Sequence, residues 1–224
     1  TYHLEANNGA NCNHSGPTGW DSALFSVESV TDQEITLYTE RADGTGGFPG
    51  NLKIWVTYGL TEDGELEIAY RVETDQDTLV NPIHPDGVPL QTVDRESPVV
   101  QHLYQAMLLE DLFKDSDPQI RLVEGLDHPF ALPEGHENAG FLYHQPSGRF
   151  LTFKSEAPAL VVYSANFVDE TVHLQGQSMV QHNGLALEFQ TVPDAIHSDQ
   201  AEKVILRAGQ VFTSKTSYHA IAKK

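Results

Sequence analysis

The sequence predicts an all-β fold built from antiparallel strands. Apolar and polar residues alternate with a period of two along much of the chain, and glycine, proline, asparagine and aspartate separate the alternating runs. The clearest pair is a hairpin, with strands at 52–58 and 66–72 joined by a turn at 62–64. Neither an internal repeat nor a long polar linker divides residues 1–224, so we expect a single domain. Further strands are predicted at 23–30, 34–40, 150–155, 159–164, 204–207 and 211–220.

One segment has the spacing of a helix instead of a strand. From Ser97 to about Lys114, apolar side chains recur at intervals of three and four residues behind a serine cap and a following proline. The pattern predicts one helix that has Leu108 on its apolar face. Asp117 and Pro118 are expected to stop it.

The charge balance limits the classes of partner. The 224 residues include 32 acidic and 13 basic side chains, a formal net charge of −19, which repels nucleic acids and anionic membrane surfaces. No apolar run approaches the roughly 20 residues that span a bilayer, and the first residues lack the pattern of a secretory signal. Cys12 is the single cysteine, so no intrachain disulfide is possible. We expect a cytoplasmic protein without nucleic-acid or membrane partners.

Common signatures of metal, phosphate and nucleophile chemistry do not occur in the sequence. The eleven histidines include no pair at the HExxH spacing, so no metal site is predicted. The glycine-rich stretch at 44–50 is not followed by the lysine of a phosphate-binding loop, and there is no GxSxG elbow. These observations argue against a metalloenzyme, a P-loop enzyme and a serine hydrolase of that type.

The most informative segment is the strand that carries Glu188 and Gln190. Its period of two puts Leu187 and Phe189 on one face and the two polar side chains on the other. Pro193 cannot extend a sheet ladder, so the strand is expected to end just beyond Gln190, near the rim of a sheet. A carboxylate on such a platform suits a general base. The alternative is the solvated outer face of an ordinary strand.

Six motifs occur in a fixed order, namely NNGANCNHSG at 7–16, GFPGNL at 47–52, GLDHPF at 125–130, PALVVYSAN at 158–166, LEFQTVPDAI at 187–196 and ILRAG at 205–209. Read together, they resemble the aldose 1-epimerase family, the galactose mutarotases. The resemblance implies an antiparallel β-supersandwich that interconverts the anomers of free hexoses such as galactose or glucose, with no cofactor. Residues 1–5 look like the middle of a strand. The resemblance separately implies that the family's initial strands are missing before Thr1, since members of the family are longer.

The same resemblance assigns site residues. Glu188 matches the family's general base, and Gln190 beside it is a candidate substrate-binding residue. His14 matches the histidine that hydrogen-bonds the sugar near its reacting oxygens. Asp127 matches an acceptor for sugar hydroxyl groups. Without the resemblance, His14 and Asp127 would be interpreted as turn residues. Three aromatic residues are candidates for the faces that pack on the sugar ring, with a core role as the alternative: Trp20, Phe48 and Tyr163.

The sequence also departs from the family pattern. The family's acid histidine is followed by Tyr-Phe-Asn-Leu, whereas His84 lies one position short and is followed by proline and aspartate. We favour a missing segment over His84 as the acid. Val161 stands where the family often has a pocket glutamine. Two alternatives therefore stay open: a non-catalytic carbohydrate-binding module of the same fold, and a hexose-6-phosphate epimerase relative, which would need a cationic pair for the phosphate.

Overall fold

The computed structural model describes residues 1–81, 100, 107–132, 139–169, 171–174 and 176–222. Two α-helices in these ranges are α1 Leu109–Phe113 and α2 Pro118–Val123. Short 3-10 turns lie at Gly16–Thr18, Trp20–Ser22, Thr45–Gly47, Gln145–Ser147, Ala195–His197 and Ala201–Lys203. The strands are β1 Ser26–Val30, β2 Glu34–Arg41, β3 Leu52–Leu60, β4 Glu65–Thr74, β5 Thr78–Leu79, β6 Asp127–Ala131, β7 Gly140–His144, β8 Arg149–Ser155, β9 Ala159–Tyr163, β10 His173–Leu174, β11 Gln177–Ser178, β12 Ala186–Gln190, β13 Ile205–Leu206 and β14 Val211–Ala222.

The largest element is a seven-stranded antiparallel sheet in the order β1-β2-β3-β4-β14-β8-β7. The predicted hairpin is confirmed as β3 and β4, with Leu60 paired to Leu66 beside the turn. Its alternation has the expected consequence, since Leu52, Ile54 and Val56 on one face of β3 are buried. These side chains form the first core cluster with Val72, Val80 and Leu206.

A smaller antiparallel sheet, in the order β12-β9-β6, packs against the large one. Phe189 of β12 lies between Phe153 of β8 and Tyr218 of β14, with ring centroids 5.7 and 6.2 Å away. These contacts belong to a core cluster that also buries Ala157 and Leu160. Because the aromatic rings of three strands interlock, the small sheet is held firmly on the large one.

A separate two-stranded sheet of β5 and β13 packs into the same core as the large sheet. Strand β5 pairs with β13, and the Val80 backbone N–H donates to the Val204 carbonyl at 2.8 Å. Val80 and Leu206 both belong to the first core cluster. The chain that leaves β4 is thus anchored in the core before it reaches Asn81.

The helical prediction is partly wrong. Residues 97–99 and 101–106 lie outside the described residues, and Val100 is helical. Leu108 is extended and 64% exposed instead of lying on the apolar face of one helix. The break lets the separate helix α1 bury Leu112 in a second core cluster with Ile120 and Leu126.

Helix α1 ends at Phe113, before Asp117 and Pro118 as expected, and these two residues also start the next helix. The Asp117 side chain accepts a hydrogen bond from the Gln119 backbone N–H at 2.8 Å, and Pro118 takes the first position of α2. Aspartate at the cap and proline at the next position are typical of a helix N-terminus. No helix among the described residues is long and apolar enough to cross a membrane.

The expectation of a strand at residues 1–5 is also wrong. This segment has no strand pairing and lies against the turn at 45–47, where the Glu5 backbone N–H donates to the Gly46 carbonyl at 3.0 Å. Gly47 has φ +86°, and a Cβ atom there would lie 2.0 Å from the His3 carbonyl oxygen. The close approach of two backbones therefore requires glycine at this position.

Asp75 fastens the turn after Gly47 to the end of β4. Its carboxylate accepts hydrogen bonds from the side chain and the backbone N–H of Asn51, which lower the pKa of Asp75 below its ordinary value of 3.8. A lowered pKa stabilises the fold above that value and the contribution is lost as the pH falls through the folded pKa. We expect Asp75→Ala to lower the urea midpoint at pH 7 and to have a much smaller effect at about pH 2, measured by tryptophan fluorescence. Asp63→Ala, in an exposed turn, is the control; equal losses at both pH values would contradict the account.

Candidate functional site

The small sheet carries three of the predicted site residues on one face. In β12-β9-β6, Glu188 pairs with Val161, and Tyr163 pairs with both Ala186 and Asp127. Paired residues point to the same face and alternate residues return to it, so Glu188, Gln190, Tyr163 and Asp127 share one side. Neighbouring strands lie about 4.8 Å apart, which puts the Cα atoms of Glu188 and Asp127 about 12 Å apart across the sheet.

The opposite face of this sheet is apolar and packs into the core. Leu187 and Phe189 of β12, Val162 of β9 and Phe130 of β6 contact the buried clusters on that side. The alternation predicted for the strand that bears Glu188 is therefore confirmed. The strand also ends at Gln190, as expected from Pro193.

Burial falls along the polar face from one end to the other. Gln190 is 2% exposed and Val161 is 1% exposed, whereas Glu188, Tyr163 and Asp127 are half-buried. The alternative of a solvated outer face is thus wrong for this strand. The face is closed behind Gln190 and opens toward Tyr163 and Asp127.

Polar contacts hold the buried end of this face. The Gln190 side-chain Nε2 donates to Glu188 Oε2 at 3.5 Å, and Gln190 Oε1 accepts from Asn81 Nδ2 at 3.2 Å. Asn81 also bonds the backbone of Thr191 through both of its side-chain polar atoms, at 3.1 Å each. The Glu188 carboxylate thus contacts the Gln190 amide, which in turn contacts the Asn81 amide.

Asp127 is positioned by the turn that precedes β6. The Leu126 backbone N–H donates to Ser164 Oγ at 2.8 Å, and Asn166 Nδ2 donates to the Leu126 carbonyl at 2.8 Å. Gly125 has φ +151°, and a Cβ atom there would lie 2.3 Å from Asn166 Oδ1. These buried contacts set the point at which β6 begins, and hence the position of Asp127 on the sheet.

His128 lies beside Asp127 but on the apolar face. Burial lowers the pKa of His128, and the charge of Asp117 opposes the shift. Its Nδ1 accepts a hydrogen bond from the Asp127 backbone N–H at 3.1 Å, which requires an unprotonated Nδ1. The neutral imidazole thus helps to hold Asp127. Within the ranges that the structure describes, no group of three or more His, Cys, Asp or Glu residues could hold a metal ion.

His14 lies in a loop that is fastened to the large sheet. Asn7 brackets the loop, since its Nδ2 donates to the Asn13 carbonyl at 2.9 Å and its Oδ1 accepts from the Asn13 backbone N–H at 2.7 Å. Thr18, further along the loop, accepts a hydrogen bond from Arg41 Nη2 at 3.3 Å. His14 itself is exposed and has φ 47°. These contacts anchor the loop, and the approach of His14 to Glu188 stays a prediction.

The comparisons with known proteins agree with this architecture. A sequence model of the aldose 1-epimerase family matches residues 1–85 and 87–219 of the chain. Galactose mutarotase of Mus musculus is 31% identical over 243 residues, which cover 96% of this chain and 70% of the relative. This chain belongs to the aldose 1-epimerase family. Aldose 1-epimerase of Escherichia coli K12 is 27% identical over 257 residues, which cover 100% of this chain and 74% of the relative.

Solved structures have the same fold as this aldose 1-epimerase family member. The crystal structure of galactose 1-epimerase from Lactobacillus acidophilus NCFM superposes with a TM-score of 0.86 at 23% identity, covering 100% of this chain and 74% of that one. An aldose epimerase homologue from C. elegans superposes with a TM-score of 0.82 at 18% identity, covering 100% and 76%. The family resemblance, the antiparallel galactose mutarotase-like fold and the assignment to an isomerase family are therefore confirmed.

The departures from the family pattern fall in different places. His84 lies outside the described residues, so the preference for a missing segment over His84 as the acid stays a prediction. Val161 is described, and it lies directly opposite Glu188 on the polar face. This chain therefore has an apolar side chain directly beside its candidate base.

The three aromatic residues predicted to pack on the sugar ring lie in different parts of the structure. Tyr163 lies on the polar face next to Asp127, and its hydroxyl accepts a hydrogen bond from the Phe167 backbone N–H at 3.0 Å. Trp20 packs against the first core cluster, and Phe48 lies under the Arg41 guanidinium, 6.0 Å from the ring centroid. Of the three, Tyr163 is the one on the face that carries Glu188.

Asn81 is the site residue to which sequence reasoning gave no role. An asparagine follows the run Thr-Leu-Val at 78–80 and precedes a proline. A polar side chain that is partly withdrawn from water at the end of a strand needs hydrogen-bond partners. That signal indicates a structural contact. It does not indicate that the partners lie 109 and 110 positions away, beside the candidate base.

A concavity lies on the outer face of the large sheet. It has a volume of about 290 Å³ and is lined in part by Trp55, Arg71 and Lys215. Arg71 stacks on Trp55 and pairs with Glu73, and Lys215 pairs with Glu67 at 2.5 Å. Its two cations already have acidic partners, and it contains none of the predicted site residues.

Proposed function

We propose that this chain is an aldose 1-epimerase that interconverts the α and β anomers of a free hexose such as galactose or glucose. One observation carries the proposal. Glu188 is a half-buried carboxylate held by Gln190 on the same sheet face as Asp127. A carboxylate in that setting is positioned to remove a proton from a ligand that lies on the face.

The reaction requires one base and one acid. In the proposed cycle, Glu188 takes the proton of the anomeric hydroxyl while an acid donates a proton to the ring oxygen. The bond between C1 and the ring oxygen breaks, and C1 becomes the carbonyl carbon of the open-chain aldehyde. Rotation about the C1–C2 bond followed by closure with the proton transfers reversed yields the other anomer. The exchange balances in protons and electrons, so it needs neither an oxidant nor a reductant.

The remaining site residues would hold the sugar. Asp127, across the face from the base, would accept hydrogen bonds from sugar hydroxyl groups, and the Tyr163 ring would pack against an apolar face of the sugar. His14 would contact the region of the reacting oxygens, as the family resemblance implies. With the base and the hydroxyl acceptor at separate positions, one orientation of the ring is favoured.

The charge of the face supports an unphosphorylated substrate. Strands β6, β9 and β12 contain no lysine or arginine, whereas a phosphate group is usually bound by such cations. A hexose-6-phosphate relative is therefore disfavoured on these strands. The single Cys12 supports a cytoplasmic enzyme.

Polarimetry tests the proposal. Freshly dissolved α-galactose, and in parallel α-glucose, should drift to equilibrium faster with the protein than in buffer, in proportion to protein concentration. A non-catalytic carbohydrate-binding module would bind the sugar and leave the spontaneous rate unchanged. That outcome would reject the proposed function.

Asp127→Ala should weaken transition-state binding. Losing a hydrogen bond to a charged group costs about 1.5–3 kcal/mol, or about a 10- to 100-fold loss of kcat/KM. The loss is measured from initial polarimetric rates over a range of sugar concentrations. Asp199→Ala, which changes an exposed aspartate elsewhere, serves as the matched control. Wild-type kcat/KM in Asp127→Ala would remove Asp127 from the site.

A further inference from the structure

The side-chain amides of Gln190 and Asn81 form a hydrogen-bonded network next to Glu188, and each amide has a defined orientation. The backbone of Thr191 offers one donor, its N–H, and one acceptor, its carbonyl oxygen. Both are hydrogen-bonded to the Asn81 side chain at 3.1 Å. Its N–H must meet an oxygen and its carbonyl must meet an N–H, so Asn81 is held with Oδ1 toward Thr191 N and Nδ2 toward Thr191 O. The backbone thereby sets which way the Asn81 amide faces.

The orientation of the Asn81 amide in turn fixes the orientation of the Gln190 amide. Asn81 Nδ2 lies 3.2 Å from the Gln190 side-chain oxygen, so Gln190 must accept at this contact. Its own NH₂ group then faces Glu188 Oε2, at 3.5 Å. Gln190 is 2% exposed, so water does not compete for its amide and a reversed orientation would leave two acceptors facing each other.

We infer that Asn81 and Gln190 are positioning residues, which together present a hydrogen-bond donor to one oxygen of the Glu188 carboxylate. The inference rests on the proposed function of Glu188 as the base. A donor at Oε2 favours the ionised form of the carboxylate, which is the form that accepts a proton, and limits rotation of the side chain. Neither residue contacts the reacting atoms in this account.

Gln190→Met is the first test, since methionine has a similar shape and no donor. We expect kcat to fall about 10- to 100-fold with little change in KM, the cost of a poorly aimed base. The acid limb of the pH–rate profile should move to higher pH, because the ionised carboxylate loses a donor. Gln210→Met, on the exposed surface, is the matched control and should match the wild type.

Asn81→Asp tests the direction of the network. The new carboxylate still accepts from Thr191 N–H but cannot donate to Gln190, so the Gln190 amide should turn over and withdraw its NH₂ group from Glu188. The loss of kcat should resemble that of Gln190→Met, and the double variant should be no slower than Gln190→Met alone. Independent losses that multiply in the double variant would indicate two purely structural roles and overturn the inference.

A readout without catalysis separates this inference from the proposed function. The ¹³C carboxyl signal of Glu188, identified by its absence in Glu188→Gln, is titrated by NMR in the wild type, Gln190→Met and Asn81→Asp. A move of the titration to higher pH in Gln190→Met, which adds no charge, supports the network even if the wild type does not accelerate mutarotation. An unchanged titration in folded Gln190→Met overturns it, and if that variant does not fold, an unchanged titration in Asn81→Asp does so.

Discussion

Glu188→Gln is expected to lower the acceleration of mutarotation by a factor of about 10² to 10⁴, the usual contribution of a general base. Glutamine keeps the size of the side chain and an oxygen that can accept from Gln190, but it cannot take the proton of the anomeric hydroxyl. Binding of the sugar by the rest of the face should persist. The measurement is the polarimetric rate with α-galactose, corrected for the spontaneous rate.

The controls for Glu188→Gln address folding and background. The melting temperature should stay close to that of the wild type, because Glu188 is half-buried and the substitution keeps its shape. Glu62→Gln, in an exposed turn, should retain full activity. Since Escherichia coli has an aldose 1-epimerase of its own, the inactive variant purified in the same way also measures contamination from an expression host. Full activity in Glu188→Gln would count decisively against the assignment of the base.

Ile54→Ala is expected to lower the free energy of unfolding by about 2–5 kcal/mol. Ile54 is 0% exposed at the centre of β3, where it contacts a cluster that includes Val72, Val80 and Leu206. Removing three carbon atoms there loses the transfer free energy of those atoms and leaves a cavity that surrounding strands cannot fill. Urea unfolding followed by fluorescence measures the loss, and the midpoint should fall with the m-value unchanged.

Lys53→Ala is the matched control for this substitution. The adjacent side chain points to the other face of β3 and is exposed, so its removal should change stability by no more than about 0.5 kcal/mol. A loss below 1 kcal/mol in Ile54→Ala, compared with the range expected for a buried isoleucine, would contradict the role of this cluster. Because Val80 belongs to the cluster and precedes Asn81, a partial loss of activity is also expected in the same variant.

The strands and the faces of the strands were predictable from local patterns. Alternation at 52–58 and 66–72 indicated the β3–β4 hairpin, and the same period put Glu188 and Gln190 opposite Leu187 and Phe189. Such patterns depend on near neighbours in the chain, so one sequence contains enough information to read them. The helix prediction failed at Leu108 because burial of Leu112 overrides local spacing.

By itself, the sequence determined that this is an antiparallel β chain with a carboxylate and an amide at the end of one strand, and its motifs indicated the aldose epimerase family. Only the tertiary structure decided that Asp127 shares a face with Glu188, that Gln190 is buried, and that Asn81 turns its amide toward it. The physical reason is the range of the contacts. Strand register and buried hydrogen bonds join residues far apart in sequence, and no local period encodes which distant partner satisfies a polar group.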